Sequence, residues 1–140
     1  MPLPRPEPGL VIHYDYLWRN EYEMGADEGS KKRPCAVVVA IADAAGVTTV
    51  VVAPVTHSAP RIAANGIEIP PRVKKHLGLD EQRSWIIASD LNTFIWPGYD
   101  LHPIPDAPPG TYAYGFLPPA LHRTLVDRIV LLSAQTTPRD

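Results

Sequence analysis

Apolar residues recur along this chain with two periods, two and roughly 3.6, and the switches between them mark out its elements. From Gly9, the run GLVIHYDYLW sets Leu10, Ile12, Tyr14 and Tyr16 against Val11, His13 and Asp15, which predicts a strand with one more polar face. Periodicity then lapses from Arg19 to Lys32, where Glu21, Glu23, Asp27 and Glu28 alternate with Gly25 and Gly29; a mobile surface loop is expected there. Cys35 to Ala42 and Val47 to Val55 are continuous small or β-branched apolar runs joined by DAAG, in which Gly46 supplies the awkward backbone angle of a hairpin turn.

Beyond Ser58 comes a loop with Pro60, Arg61 and Asn65-Gly66, then a short strand GIEI. Pro71 fits the first turn of a short helix, PRVKKHLGL, basic on its exposed side and ended by Gly78. Ser84 to Trp96 reads as a strand broken midway by Ser89-Asp90 and Asn92-Thr93, as a bend or bulge would require. The prolines of 97–110 predict an ordered loop or irregular edge, and TYAYGFL a short last strand. Pro118-Pro119 opens the longest helix, with Leu121, Leu125, Ile129 and Leu132 on one side and Arg123, Asp127 and Arg128 on the other. These elements sum to a mainly β fold, a small antiparallel domain bent strongly into a sheet or barrel, with a short mid-chain helix and a C-terminal helix packed on it.

Composition sharpens the picture in three places. The chain has 140 residues, enough for one domain with its own core, so residues 9–140 are read as one domain behind a flexible proline-rich tail at 1–8. Its 17 prolines disfavour long helices and central strands. Cys35 is the single cysteine, which excludes an internal disulfide and fits a reducing cytoplasm. No apolar run is long enough for a bilayer and no signal-peptide pattern opens the chain, so no membrane partner is expected. A net charge of −2 means that any nucleic-acid affinity has to come from local patches.

Candidate chemistry collects at the two ends of the central hairpin segment. Lys31, Lys32 and Arg33 precede Pro34, while Thr56, His57 and Ser58 follow Pro54-Val55, and antiparallel pairing would bring both groups to one end of the sheet. Arg33 could hold a phosphate in its planar fork of donors, or simply pair with Glu28 or Asp27. Thr56 could donate a hydroxyl, though a strand-end hydrogen bond is its plainer role. His57 is the candidate for proton transfer, but a strand running through Thr56 would point it to the opposite face, as a surface residue. Arg61, Arg72, Lys74 and Lys75 form a second basic group, a nucleic-acid track or a solvated helix face. Asp90, Asn92 and Thr93 are candidates for a groove or for turn formation. Trp18, Tyr22, Trp85 and Trp96 are candidates for base stacking or for core. His13, His76, His102 and His122 lack the mutual spacing of metal ligands and read as surface or capped residues; no metal or cofactor is expected.

Gly9 opening the first strand, Lys32-Arg33-Pro34 before an apolar run, Ala53-Pro54-Val55-Thr56 closing the next, the GIEI strand, Gly78-Leu79 before the strand at 84–93 and the C-terminal helix together resemble the MazF/PemK toxin family, growth inhibitors included, over most of residues 9–135. The resemblance implies an SH3-like β-barrel, a homodimer, and metal-independent cleavage of single-stranded RNA such as mRNA by the toxin of a type II toxin–antitoxin system. It implies a cognate antitoxin that covers the RNA-binding surface. Arg33 and Thr56 fall on the family's catalytic arginine and threonine, and Lys31, Lys32, Ser58, Arg61, Lys74 and Lys75 are placed to bind RNA beside them. Two other functions fit the same fold: a non-catalytic SH3-like binding module, and an inhibitor of DNA gyrase.

Overall fold

β-branched runs that are covered on both faces need no alternation, and the centre of this fold is built from two of them. The computed structural model of the chain describes residues 3–29 and 31–139. β1 (Leu10–Asp15), β2 (Lys32–Ala42) and β3 (Thr48–Thr56) pair in sequence order as antiparallel neighbours. The β2–β3 turn is closed by Asp43, whose carboxylate accepts the N–H groups of Ala45 at 2.8 Å and Val47 at 3.0 Å, with Gly46 at φ +85°. The predicted hairpin therefore forms.

Around it the sheet curls. β4 (Gly66–Glu68) pairs with β5 (Trp85–Ile87), and both β5 and β6 (Asp90–Ile95) lie along the free edge of β3. β5 takes the Val55–Thr56 end and β6 the Thr49–Val52 end, so the chain has to bend at Ala88-Ser89, where the polar interruption predicted it. β7 (Ala113–Phe116) closes on the other edge of β1, and residues 100–102 continue that edge, with Asp15 N–H donating to the Asp100 carbonyl at 2.8 Å and His102 N–H to that of His13 at 2.9 Å. The irregular edge expected from the prolines is this one. The outcome is the mainly β small barrel anticipated, an eight-stranded curled sheet with helices α2 (Pro71–His76) and α3 (Pro119–Leu132) added.

Two apolar clusters fill it. Leu10, Ile12, Tyr14, Tyr16, Cys35, Val37, Val50, Val52 and Phe94 occupy one face of the hairpin, and Val11, Ala36, Val38, Ala53, Val55, Ile86 and Leu125 of α3 the other. Full burial of each such side chain contributes about 1.5–3 kcal/mol. A bulge in β2 between Val37 and Val39 frees the Val38 carbonyl, and His122 of α3 donates its Nε2–H there at 3.1 Å, tying the C-terminal helix to the hairpin. His122 is thus an anchor. Among the described residues, no helix is long and apolar enough to cross a membrane.

Two parts differ from expectation. The loop after β1 contains a helix, α1 (Arg19–Glu23), because the N–H groups at its start are met: its own Glu21 accepts from Trp18 N–H at 3.0 Å, and Asp90, from outside, accepts from Arg19 N–H at 3.2 Å. After α3 the chain turns at Ser133, in the left-handed region at φ +49°, into β8 (Gln135–Pro138), which runs parallel to β6 and makes the sheet mixed. Residues 3–8 have no regular structure, yet Pro4 and Pro6 are half-buried and the Glu7 carbonyl accepts Leu10 N–H at 3.0 Å; the rest of the predicted tail, residues 1 and 2, lies outside the described residues.

Asp90, Asn92 and Thr93 are neither groove nor solvated turn. The Asn92 side chain is fully buried, accepts Leu17 N–H at 3.0 Å and donates to the Leu17 carbonyl at 2.8 Å, while Asp90 accepts the Tyr16 hydroxyl. Thr93 sits in β6 opposite Val51. Arg139 then closes over this seam, donating to the Asp15 carbonyl, to Asn92 Oδ1 at 3.2 Å and to Asp100 at 2.9 Å. Replacing Asn92 with Ala strands the Leu17 N–H and C=O in a dry site, so urea unfolding should register a loss of about 3 kcal/mol.

Candidate functional site

The register of the hairpin decides which side chains share its open end. Cys35 stands opposite Pro54 at the end of the β2–β3 ladder, and Arg33 and Thr56 each lie two residues beyond that pair. Parity places Arg33 on the face of Cys35 and Val37, and Thr56 on that of Val50 and Val52, which is the same face. Arg33 is only 8% exposed. Its Nη1 donates to the Val55 carbonyl at 3.4 Å and its guanidinium lies 5.1 Å from the centre of the Trp18 ring. Its Nε is buried with no hydrogen-bond partner, and among the described residues Arg33 makes no ion pair, so the alternative of a bridge to Glu28 or Asp27 is not realised. Burial pulls its pKa down from the ordinary value, against the opposing fields of Cys35, Glu21 and Tyr16, and an arginine starting so high stays charged.

Two clefts meet at this pair, sharing Lys31, Arg33 and Thr56. One adds Lys32, His57, Lys74, Asp80 and Ser84; the other, of about 450 Å³, adds Trp18, Ser58, Arg61, Asn65 and Ser89. Lys31, Lys32, Arg33, Arg61 and Lys74 face a single carboxylate, that of Asp80. This locally cationic surface coexists with a net charge of −2 because the acidic residues of the loop point elsewhere: Glu21 holds the Trp18 N–H, Glu23 lies 3.7 Å from Arg19, and none of Glu21, Glu23, Asp27 and Glu28 lines either cleft. The Thr56 hydroxyl oxygen accepts Ser58 N–H at 3.1 Å, a local turn that leaves its hydrogen to donate.

Lys74 is corrected. It is not on the solvated face of α2 but 4% exposed, and it spends its three hydrogens on Asp80 at 2.7 Å, Ser84 Oγ at 2.6 Å and the Gln82 carbonyl. No donor is left for a nucleic-acid phosphate. Lys75 is exposed and lines a neighbouring groove with Glu68, Glu81 and Arg83, one that shares Lys74 and Asp80 with the Arg33 cleft but does not itself reach Arg33. Of the aromatics, Trp18 alone lines the clefts; Trp96 packs in the core, Trp85 carries the Arg83 guanidinium at 5.0 Å, and Tyr22 that of Arg19 at 5.3 Å. His13 is buried against the Tyr114 hydroxyl at 2.8 Å, and burial lowers its pKa.

β3 ends at Thr56 and His57 lies in the bend that follows, so strand parity does not carry it to the far face: both line one cleft, where His57 meets a residue the sequence did not single out. Its Nε2 lies 2.8 Å from Asp80. Asp80 follows Gly78-Leu79 in an ordinary loop, with no motif to distinguish it. Among the described residues no three His, Cys, Asp or Glu side chains gather as metal ligands would. No protein-family model matches the chain, and no curated protein matches its sequence.

The Asp80 carboxyl is held below its usual range chiefly by the hydrogen bond from Lys74, with the charges of Lys74 and His57 and the Gln82 N–H adding to it against a small burial penalty. A depressed carboxylate stabilises the fold above its unfolded pKa, about 3.9, and loses that contribution as pH falls through the lower folded value. Urea titrations should therefore show the native chain more stable than Asp80→Asn near neutrality, with the gap closing as pH drops below about 4.

Proposed function

We propose that the chain is an endoribonuclease toxin of the MazF/PemK kind, cleaving single-stranded RNA at the cleft between Arg33 and Thr56 without a metal. The observation that carries the proposal is the guanidinium of Arg33, charged, without a carboxylate partner among the described residues and set with a threonine hydroxyl in a cationic cleft. RNA contains its own nucleophile, so a protein that holds the backbone in line and stabilises the phosphoryl oxygens supplies most of what the cleavage needs. Arg33 is suited to the growing negative charge, and Thr56 adds a neutral donor. Lys31, Lys32 and Arg61 would track flanking phosphates, Ser58 would add a hydroxyl, and Trp18 offers an aromatic face to a base. A cytoplasmic protein, a homodimer and an antitoxin laid over the cleft belong to the same reading.

One feature favours a barrel that binds without cutting: Arg33 is mostly covered and gives one donor to the Val55 carbonyl. A single experiment separates the two. Purified protein incubated with mixed single-stranded RNA in EDTA should produce discrete fragments, and Arg33→Ala should slow their formation about 100- to 1,000-fold, the loss typical of one transition-state donor. Arg33→Lys should recover little, since it lacks the planar fork. RNA bound but left whole by the native chain would establish the binding module instead.

A further inference from the structure

The cleft contains a chain of three side chains that this reading leaves unused. Lys74, on α2, is buried with every hydrogen committed, one of them to Asp80 Oδ1 at 2.7 Å. Asp80 also accepts Gln82 N–H at 3.1 Å, so it cannot swing away without stranding a buried ammonium. Its second oxygen lies 2.8 Å from His57 Nε2. A carboxylate paired in this way only accepts, so the Nε2 of a neutral His57 carries the hydrogen and Nδ1 keeps the lone pair. The imidazole is nearly half exposed and lines the same cleft as Arg33 and Thr56.

We infer that His57 is the general base of RNA cleavage, with Asp80 and Lys74 as the positioning residues that fix its tautomer and direction. The inference rests on the endoribonuclease reading. In the step it assigns, the 2′-oxygen bonds to phosphorus as the bond from phosphorus to the 5′-oxygen breaks, and the 2′-hydroxyl proton passes to Nδ1. The departing 5′-oxygen takes a proton from water, and His57 returns its own to the hydroxide left behind. The products are a 2′,3′-cyclic phosphate and a 5′-hydroxyl.

The roles divide: Arg33 stabilises charge on the phosphoryl oxygens, while the imidazole, lining the same cleft, handles the proton. His57→Ala should lower the single-turnover rate on an unstructured RNA pool by about 100- to 10,000-fold, while binding of the same strands made in 2′-deoxy form stays near the native level. Added imidazole should restore part of the rate in His57→Ala and none in Arg33→Ala. Asp80→Asn should lower kcat with KM held, which a merely structural defect would not do. A His57→Ala protein that cleaves within about threefold of the native rate, far short of a lost general base, overturns the inference and leaves the endoribonuclease reading standing. Loss of binding to the 2′-deoxy strands together with rate, unrelieved by imidazole, makes His57 a binding residue and also overturns it. Absence of cleavage by the native chain overturns both.

Discussion

A guanidinium buried without a carboxylate among the described residues is the constraint on which this structure turns. Taking such a charge out of water costs several kcal/mol after relaxation, and a side chain free to move would return to solvent. Arg33 has no such freedom. Pairing opposite Tyr14 of β1 fixes its backbone, the Val55 carbonyl accepts from one nitrogen, and the face of Trp18 covers the charge at 5.1 Å. The field of Glu21 acts in the same sense, favouring the charged form from a distance without neutralising it.

Trp18 stays in place because of residues far along the chain. Leu17, its neighbour, is locked by both hydrogen bonds of the Asn92 amide, and Arg19 by Asp90, so the segment carrying Trp18 is riveted to β6 on either side. Tyr16 adds a third tie through its hydroxyl, in a burial that pushes its pKa upward and raises that of Asp90 as well. β6 is itself held by β8, and Arg139 seals the seam with its guanidinium 5.6 Å over Tyr14. A nearly terminal arginine thus supports, through three layers of contact, the geometry of the first basic cluster. Unlike Arg33, Arg139 is an ordinary buried cation, paired with Asp100 and three oxygens besides.

What could be read from the sequence was local. The hairpin followed from β-branched runs and a DAAG turn, both main helices from Pro-Pro at their starts, and the bend in 84–96 from polar residues inside an apolar run. Even the meeting of Arg33 and Thr56 at one cleft was accessible, because antiparallel geometry brings the start of β2 and the end of β3 to one end of the sheet. The misses all depend on partners supplied by other elements. α1 is too short to form alone and exists because Asp90, 71 residues away, accepts its first N–H. β8 is three polar residues and a proline whose strand character comes entirely from β6. Lys74 looks like a solvated helix residue until the turn at Gly78, with φ +69°, folds 80–84 back over its ammonium.

Arg33 and Lys74 show two opposite uses of a covered cation at one cleft. Lys74 has three hydrogens and three acceptors, so any phosphate approaching it would have to displace a bond already made, with little net gain. Its value lies in what it fixes, the carboxylate of Asp80. Arg33 has five hydrogens and one carbonyl, with a buried Nε that no described group satisfies. An unmet donor on a charged group is costly in the free protein, and an anion that reaches it recovers that cost on binding. Recovery is largest when the anion carries the most charge, which for a phosphodiester is the pentavalent arrangement rather than the ground state. The same incompleteness that makes Arg33 a poor structural residue suits it to a transition state, and the complete pairing of Lys74 suits it to holding its neighbours still.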